Sequence, residues 1–242
     1  MIVYKRVLVA LMLLLLVGCQ KGLTKDSAPQ QQEAVAGDEF SMRTLVKSDI
    51  DMVLDIHARL AESYLRELMR KLYLRNPAQW RTQGFTSVDA AVEQAFTYDE
   101  AELAARLSGA SSVNSIQLAF DENFQGDRVL AFIYGLHSML EQAHEGKREF
   151  YVLDQLDPQK LYNAARNIEV AVWKLSNDRR TDGRLFLISN ETRGQIKNLS
   201  FERLFGKLIA IQDSSAQIIA DKTNRTIKNV LQGVVRLVFL PI

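Results

Sequence analysis

The sequence predicts an all-α protein: an irregular multi-helix bundle forming a single domain. Three observations carry this. Apolar residues recur at steps of three and four over long stretches, no stretch shows the sustained alternation of a strand, and only 4 prolines and 12 glycines interrupt 242 residues. Hydrophobic residues at 47% and charged residues at 24% are the proportions of a chain that folds around a core. The helical body, expected over 48–242, is long enough to bury that core without disulfides or metals.

The first helix is expected to begin at Ser48, whose hydroxyl can accept from an orphan N–H of the first turn. Asp49, Asp51 and Asp55 follow where a helix dipole favours negative charge. Its inner face reads Ile50, Val53, Leu54, His57, Leu60, Ala61, Tyr64, Leu65, Leu68 and Leu72. Asp55 with Arg59, Glu62 with Arg66, and Glu67 with Lys71 are acid-then-base pairs one turn apart. Asn76-Pro77 ends this helix and starts another, with Asn as the cap and Pro at the first position.

Shorter helices are expected at 87–96, behind a Ser87 cap, at 98–107, and at 113–120 after the break Gly109-Ala110-Ser111-Ser112. A strongly periodic helix follows over 127–145 and stops at Gly146. Asp157-Pro158 opens the next, with Leu161, Ala164, Ala165, Ile168, Val172 and Leu175 inward. Residues 185–188 read as a strand or a buried loop. Ser200 is the expected cap of a last long helix, continuing, with or without a break, through Ile227, Val230, Leu231, Val234 and Val235. The apolar stretch 227–242 is too short to span a bilayer; it is expected to pack across the bundle, the alternative being a partner-binding or membrane-dipping tail. Segment spacing shows no repeat of about 34 residues, which speaks against a tetratricopeptide-type solenoid.

Charge excludes some partners. Thirty basic residues face 29 acidic ones, and no basic face is evident, so nucleic acid is not an expected partner. The three histidines, His57, His137 and His144, form no HExxH or paired ExxH pattern, so no metal site is expected. His137 and His144, seven apart, can share a helix face; the plainer expectation is one at the core edge and one at the surface. No G-x-S-x-G or S-x-x-K occurs. Asn163, Arg166 and Asn167, with Glu169, and Glu202 with Arg203, concentrate polar groups inside helices; they are expected to form inter-helix hydrogen bonds or a polar groove.

The N-terminus carries the most specific signal. Lys5 and Arg6 precede an apolar run over 7–17, about 17 Å of helix and too short to cross a hydrocarbon core of about 30 Å. The run is expected to be the apolar part of a signal peptide, 1–18. Leu16-Val17-Gly18-Cys19 resembles the lipobox of bacterial lipoproteins. That resemblance implies diacylglycerol on the Cys19 sulfur, cleavage before Cys19 and acylation of the new amine; the lipid is covalent, and no cofactor is expected. Cys19 is the only cysteine, so the body has no internal disulfide. Gln20 stands where an aspartate favours inner-membrane retention in proteobacterial lipoproteins, which implies the outer membrane, facing the periplasm. Residues 19–47, Gln-rich with Pro29, read as a lipidated tether. Without the leader the chain has 28 basic and 29 acidic residues.

The stretches 157–177 (DPQKLYNAARNIEVAVWKLSN) and 198–213 (NLSFERLFGKLIAIQD) resemble a group of proteobacterial lipoproteins. That resemblance brings no activity, cofactor or catalytic residue. Glu62-Ser63 resembles the catalytic Glu-Ser of the lytic transglycosylases, whose later Gly-Leu-Met-Gln and Asn-x-x-x-Gly motifs are missing here. The expected function is therefore a non-catalytic envelope scaffold or accessory subunit that binds a protein partner. The alternatives are peptidoglycan cleavage through Glu62 and carriage of an apolar ligand between helices.

Overall fold

A computed structural model of the chain describes residues 47–151, 153–191, 198–228 and 238–242. The expected leader, Cys19 and the tether up to residue 46 lie outside the described residues, as do Val230, Leu231, Val234 and Val235. Among those described, eight helices occur and no sheet, only the isolated bridges Arg179–Leu185 and Glu191–Asn198. The all-α bundle stands.

Helix α1 (Asp49–Arg75) begins on a reciprocal cap: Ser48 Oγ accepts from Asp51 N at 3.3 Å, and Asp51 Oδ2 accepts from Ser48 N at 2.9 Å. Its buried side is rotated from the expected one. Asp51 and Asp55 point inward, while Leu60 is exposed. The expected Asp55–Arg59 pair is replaced by contacts distant in sequence, because Asp55 accepts from Phe150 N at 2.8 Å and pairs with Lys47. Asp51 likewise meets Lys222 at 3.0 Å. The Glu62–Arg66 pair forms.

Asn76 does not cap α2 (Pro77–Arg81) with its side chain. Its amide is taken by the loop over 185–188: Nδ2 donates to Ile188 O at 2.9 Å, and Oδ1 accepts from Ile188 N at 2.8 Å. That segment is thus a pinned loop, with Leu187 buried, rather than a strand. Helices α3 (Val88–Ala95) and α4 (Glu100–Arg106) are capped by Ser87 and by an Asp99–Glu102 box.

Helix α6 (Arg128–Ala143) is buried on nearly every side. Asp127 caps it by accepting from Val129 N and Leu130 N at 2.9 and 3.0 Å, and also accepts from the Tyr73 hydroxyl at 2.6 Å. Helix α5 (Ser112–Leu118) crosses α6 at Gly135, where an added Cβ would lie 2.6 Å from Ile116 N and 2.9 Å from Ser112 O. Helices α1, α7 (Pro158–Asn177) and α8 (Ser200–Thr223) complete the cover around α6 and pack on one another.

Asp157 and Pro158 start α7 as expected. Ser200 does not cap α8, which begins one residue earlier than that role requires. Ser200 N donates to Asn198 Oδ1 at 3.0 Å, and its hydroxyl accepts from Lys71 Nζ at 2.6 Å. Nor does α8 run on through Ile227: Asn224 adopts the left-handed conformation, φ 52°, and ends it.

Two substitutions test the packing. Gly135→Ala should destabilise the fold by about 1–3 kcal/mol, because backbone rather than a flexible side chain blocks the methyl. Gly206→Ala, on α8 with nothing within 4 Å, should stabilise by up to about 1 kcal/mol. Thermal melts of both should move in opposite directions. Gln212 is wholly buried with neither amide atom bonded, so Gln212→Met should raise the melting temperature, corresponding to about 1 kcal/mol.

Candidate functional site

Two adjoining hollows, of about 130 and 260 Å³, share Glu62, His137, Glu141 and Arg148 in their walls. The helical repeat makes this wall. Ala58, Glu62 and Leu65 lie on one side of α1, and His137, Leu140, Glu141 and His144 on the facing side of α6. Phe96, Tyr98 and Leu103 close the larger hollow.

Charged groups here are engaged by neighbours. Arg66 donates to Glu62 Oε1 from Nε and Nη2 at 3.2 and 3.1 Å, to Glu93 at 3.2 Å, and lies 4.2 Å from the Phe96 ring centre. Arg148 donates to Glu141 at 2.9 Å, and His137 Nδ1 stands 3.5 Å from the same carboxylate. The Arg148–Glu141 bond holds the guanidinium above its usual pKa.

Both α6 histidines are enclosed rather than one lying at the surface. His144 Nδ1 donates to the Leu140 carbonyl at 2.9 Å, which makes Nε2 the unprotonated nitrogen; that atom is buried with no partner. His137 meets the Phe96 ring edge-on at 5.6 Å. His57, on α1, pairs through Nδ1 with Ser215 Oγ at 2.9 Å. Burial lowers the pKa of all three.

Glu62 lies at the junction of the hollows, yet its carboxylate is held by Arg66 and partly exposed, where a glycosidic acid needs an apolar enclosure. Ser63 is exposed. Among the described residues no three His, Cys, Asp or Glu side chains converge to hold a metal ion.

The expected polar groove separates into different structures. Arg166 joins α7 to α8 by donating to Asp213 at 2.7 Å, with Glu169 at 3.2 Å. Burial raises the pKa of both carboxyls, and Arg166 opposes the shift. Glu202 and Arg203 lie roughly 15 Å back along α8. Glu202 accepts from Asn190 at 2.7 Å, and Arg203 is exposed. These two therefore share no groove with Asn163, Arg166 and Asn167.

Asn163 and Asn167 hold the main chain of the last residues. Asn167 Nδ2 donates to Leu240 O at 2.9 Å, and its Oδ1 accepts from Leu240 N at 2.6 Å. Asn163 Nδ2 donates to Pro241 O at 2.8 Å. Residues 238–242 thus pack across the bundle, with Phe239 and Ile242 against the core. Gln159, one turn before Asn163, completes the row; its spacing from the two asparagines was the sequence signal for it. Glu141 and Arg148 also belong to the site, although only folding brings them to Glu62.

The histidines set a pH response. Their folded pKa values lie below the unfolded value of about 6.5, so the unfolded chain takes up protons first as pH falls. Stability is full above that value and is lost below it. Asp127, raised to about 6 by burial, acts in the opposite sense between that pH and its unfolded value, leaving pH 6 and above to the histidines. Melting temperature should fall from pH 7.5 to 6, and His144→Gln, which keeps a donor for Leu140 O, should flatten the fall. Comparison of the chain with known protein families, with curated proteins and with solved structures finds no match.

Proposed function

We propose that this chain is an outer-membrane lipoprotein facing the periplasm, anchored by acyl chains on Cys19, whose helical body binds a protein of the cell envelope and performs no catalysis. One observation carries the binding reading. Met52, Ile56 and Leu60, 42%, 45% and 38% exposed, form an apolar stripe at successive turns of α1, the helix that follows the tether. Such a stripe gains free energy when a partner covers it. The Arg66 contact to Glu62 supports the non-catalytic half of the proposal. Among the described residues no helix is long and apolar enough to cross a membrane.

A photo-crosslinking residue at position 56, in cells, should give a discrete adduct with an envelope protein. The same label at Trp173, an exposed aromatic on α7, should not. With the label at position 60, Ile56→Lys should abolish the adduct without changing the melting temperature. Only uncrosslinked monomer from position 56 would sink the binding reading. Cys19→Ser should move the protein from the membrane fraction to the soluble one and end incorporation of labelled fatty acid; persistence of either counts against the anchor.

The cleft at Glu62 is the observation that favours glycan cleavage as the rival. Purified protein incubated with peptidoglycan should release no muropeptides. Release abolished by Glu62→Gln would establish the rival instead.

A further inference from the structure

The apolar stripe on α1 has a definite frame. Val53, Ile56 and Leu60 recur at steps of three and four on one face of the helix, and Met52 flanks them. At its N-terminal end this face runs into a hollow of about 350 Å³ between α1 and α8, formed by Ile50, Val53 and Ile218. Ile50 also packs against the core, while Val53 and Ile218 are half-buried. The hollow has room for one bulky apolar side chain.

Acids bracket the same face. By helical spacing Asp49 and Glu67 stand in line with Ile56 and Leu60, one at each end, and Asp221 of α8 shares the rim of the hollow with Asp49. All three are exposed, and among the described residues none pairs with a cation; Asp221 accepts from Gln217 at 2.9 Å. Nearby basic groups are committed elsewhere: Lys222 to Asp51 at 3.0 Å, Lys71 to Ser200, and Lys207 to the Tyr64 ring, 4.8 Å from its centre. Arg59 lies on the other flank of α1, lining the hollow beside Glu62. Asp221 also stands in the last turn of α8, where the helix dipole disfavours a carboxylate and a cation from outside stabilises it.

We propose that the envelope partner docks here through an amphipathic helix with basic residues at both ends of its apolar face. The proposal rests on the reading that the α1 stripe meets an envelope protein, and it gives that partner its chemistry. A helix is the fitting element because the main chain of α1 and α8 is bonded within each helix, leaving no edge with which an extended segment could pair. The face from Asp49 to Glu67 is about 27 Å long, or about five turns of such a helix. One bulky side chain enters the hollow; Lys or Arg meets Asp49 and Asp221 at that end and Glu67 at the other. A second copy of the chain does not fit, since pairing this face with itself in either direction sets acid against acid.

Photo-crosslinking from position 56 of the full-length chain in cells captures the docking element itself. The linked peptide, sequenced by mass spectrometry, should show apolar residues at steps of three and four with Lys or Arg on both sides. Asp49→Lys with Asp221→Lys should lower the adduct yield by at least about 10-fold, and Asp49→Asn with Asp221→Asn should lower it less. If the paired reversal disturbs the start of α1, Glu67→Lys at mid-helix tests the other end and should lower the yield by at least about 3-fold. Val53→Trp, which fills the hollow, should also lower it. Glu100→Lys, on α4 and away from this face, should leave the yield unchanged. Absence of any adduct sinks both this proposal and the binding reading. An adduct with an envelope protein that survives both charge reversals, or whose linked peptide is acidic or lacks the helical spacing, leaves that reading standing and overturns the basic helix. A link to lipid, to a second copy, or within the chain to residues 40–46 overturns it as well.

Discussion

Helix α6 has almost no side that can face water, and the need to cover it arranges the other elements. Val129, Leu130, Phe132, Ile133, Leu136, Met139 and Leu140 occupy about half of its circumference, and Ala131, Gly135 and Ser138 on the opposite side are buried as well. A single neighbouring helix covers only one stripe, so several must gather around it. Helix α5 approaches most closely, at the one residue of α6 without a side chain, Gly135. Packing at this density makes the crossing sensitive to a single methyl group.

Polar groups drawn inside by this arrangement are mostly satisfied by main chain from distant segments. Asp55 takes Phe150 N, Asn76 takes both main-chain groups of Ile188, and Arg128 donates to the carbonyls of Ala119, Asp121 and Phe124. These bonds anchor loops that have no regular structure of their own. Gln212 and the Nε2 of His144 are among the exceptions, as are Trp80 Nε1 and Asp213 Oδ1.

The last turn of α6 separates two surfaces. Glu141 and His144 face the hollows beside Glu62, while Gln142 borders the cleft along the final residues. On one side acids and guanidinium groups engage one another in a small partly apolar recess. On the other, the amides of Asn163 and Asn167 bond the main chain of Leu240 and Pro241.

Features governed by near neighbours were legible in the residue order. Capping acts within a few residues, so Ser48, Ser87 and Asp157 marked helix starts correctly, and apolar spacing identified the all-α class. The Glu62–Arg66 pair, one turn apart, was legible for the same reason. Ser200 and Asn76 have the same cap chemistry but serve remote partners, Lys71 and Ile188. Asn163 and Asn167 stood out as polar groups inside a helix, yet their partners lie more than 70 residues away, in an apolar stretch that local pattern had extended from α8. Residue order alone thus determined which segments are helical and proposed a lipid at Cys19. Tertiary structure decided which polar side chains turn inward and what they hold, because a hydrogen bond depends on proximity in space, and proximity between distant segments exists only after the chain has packed.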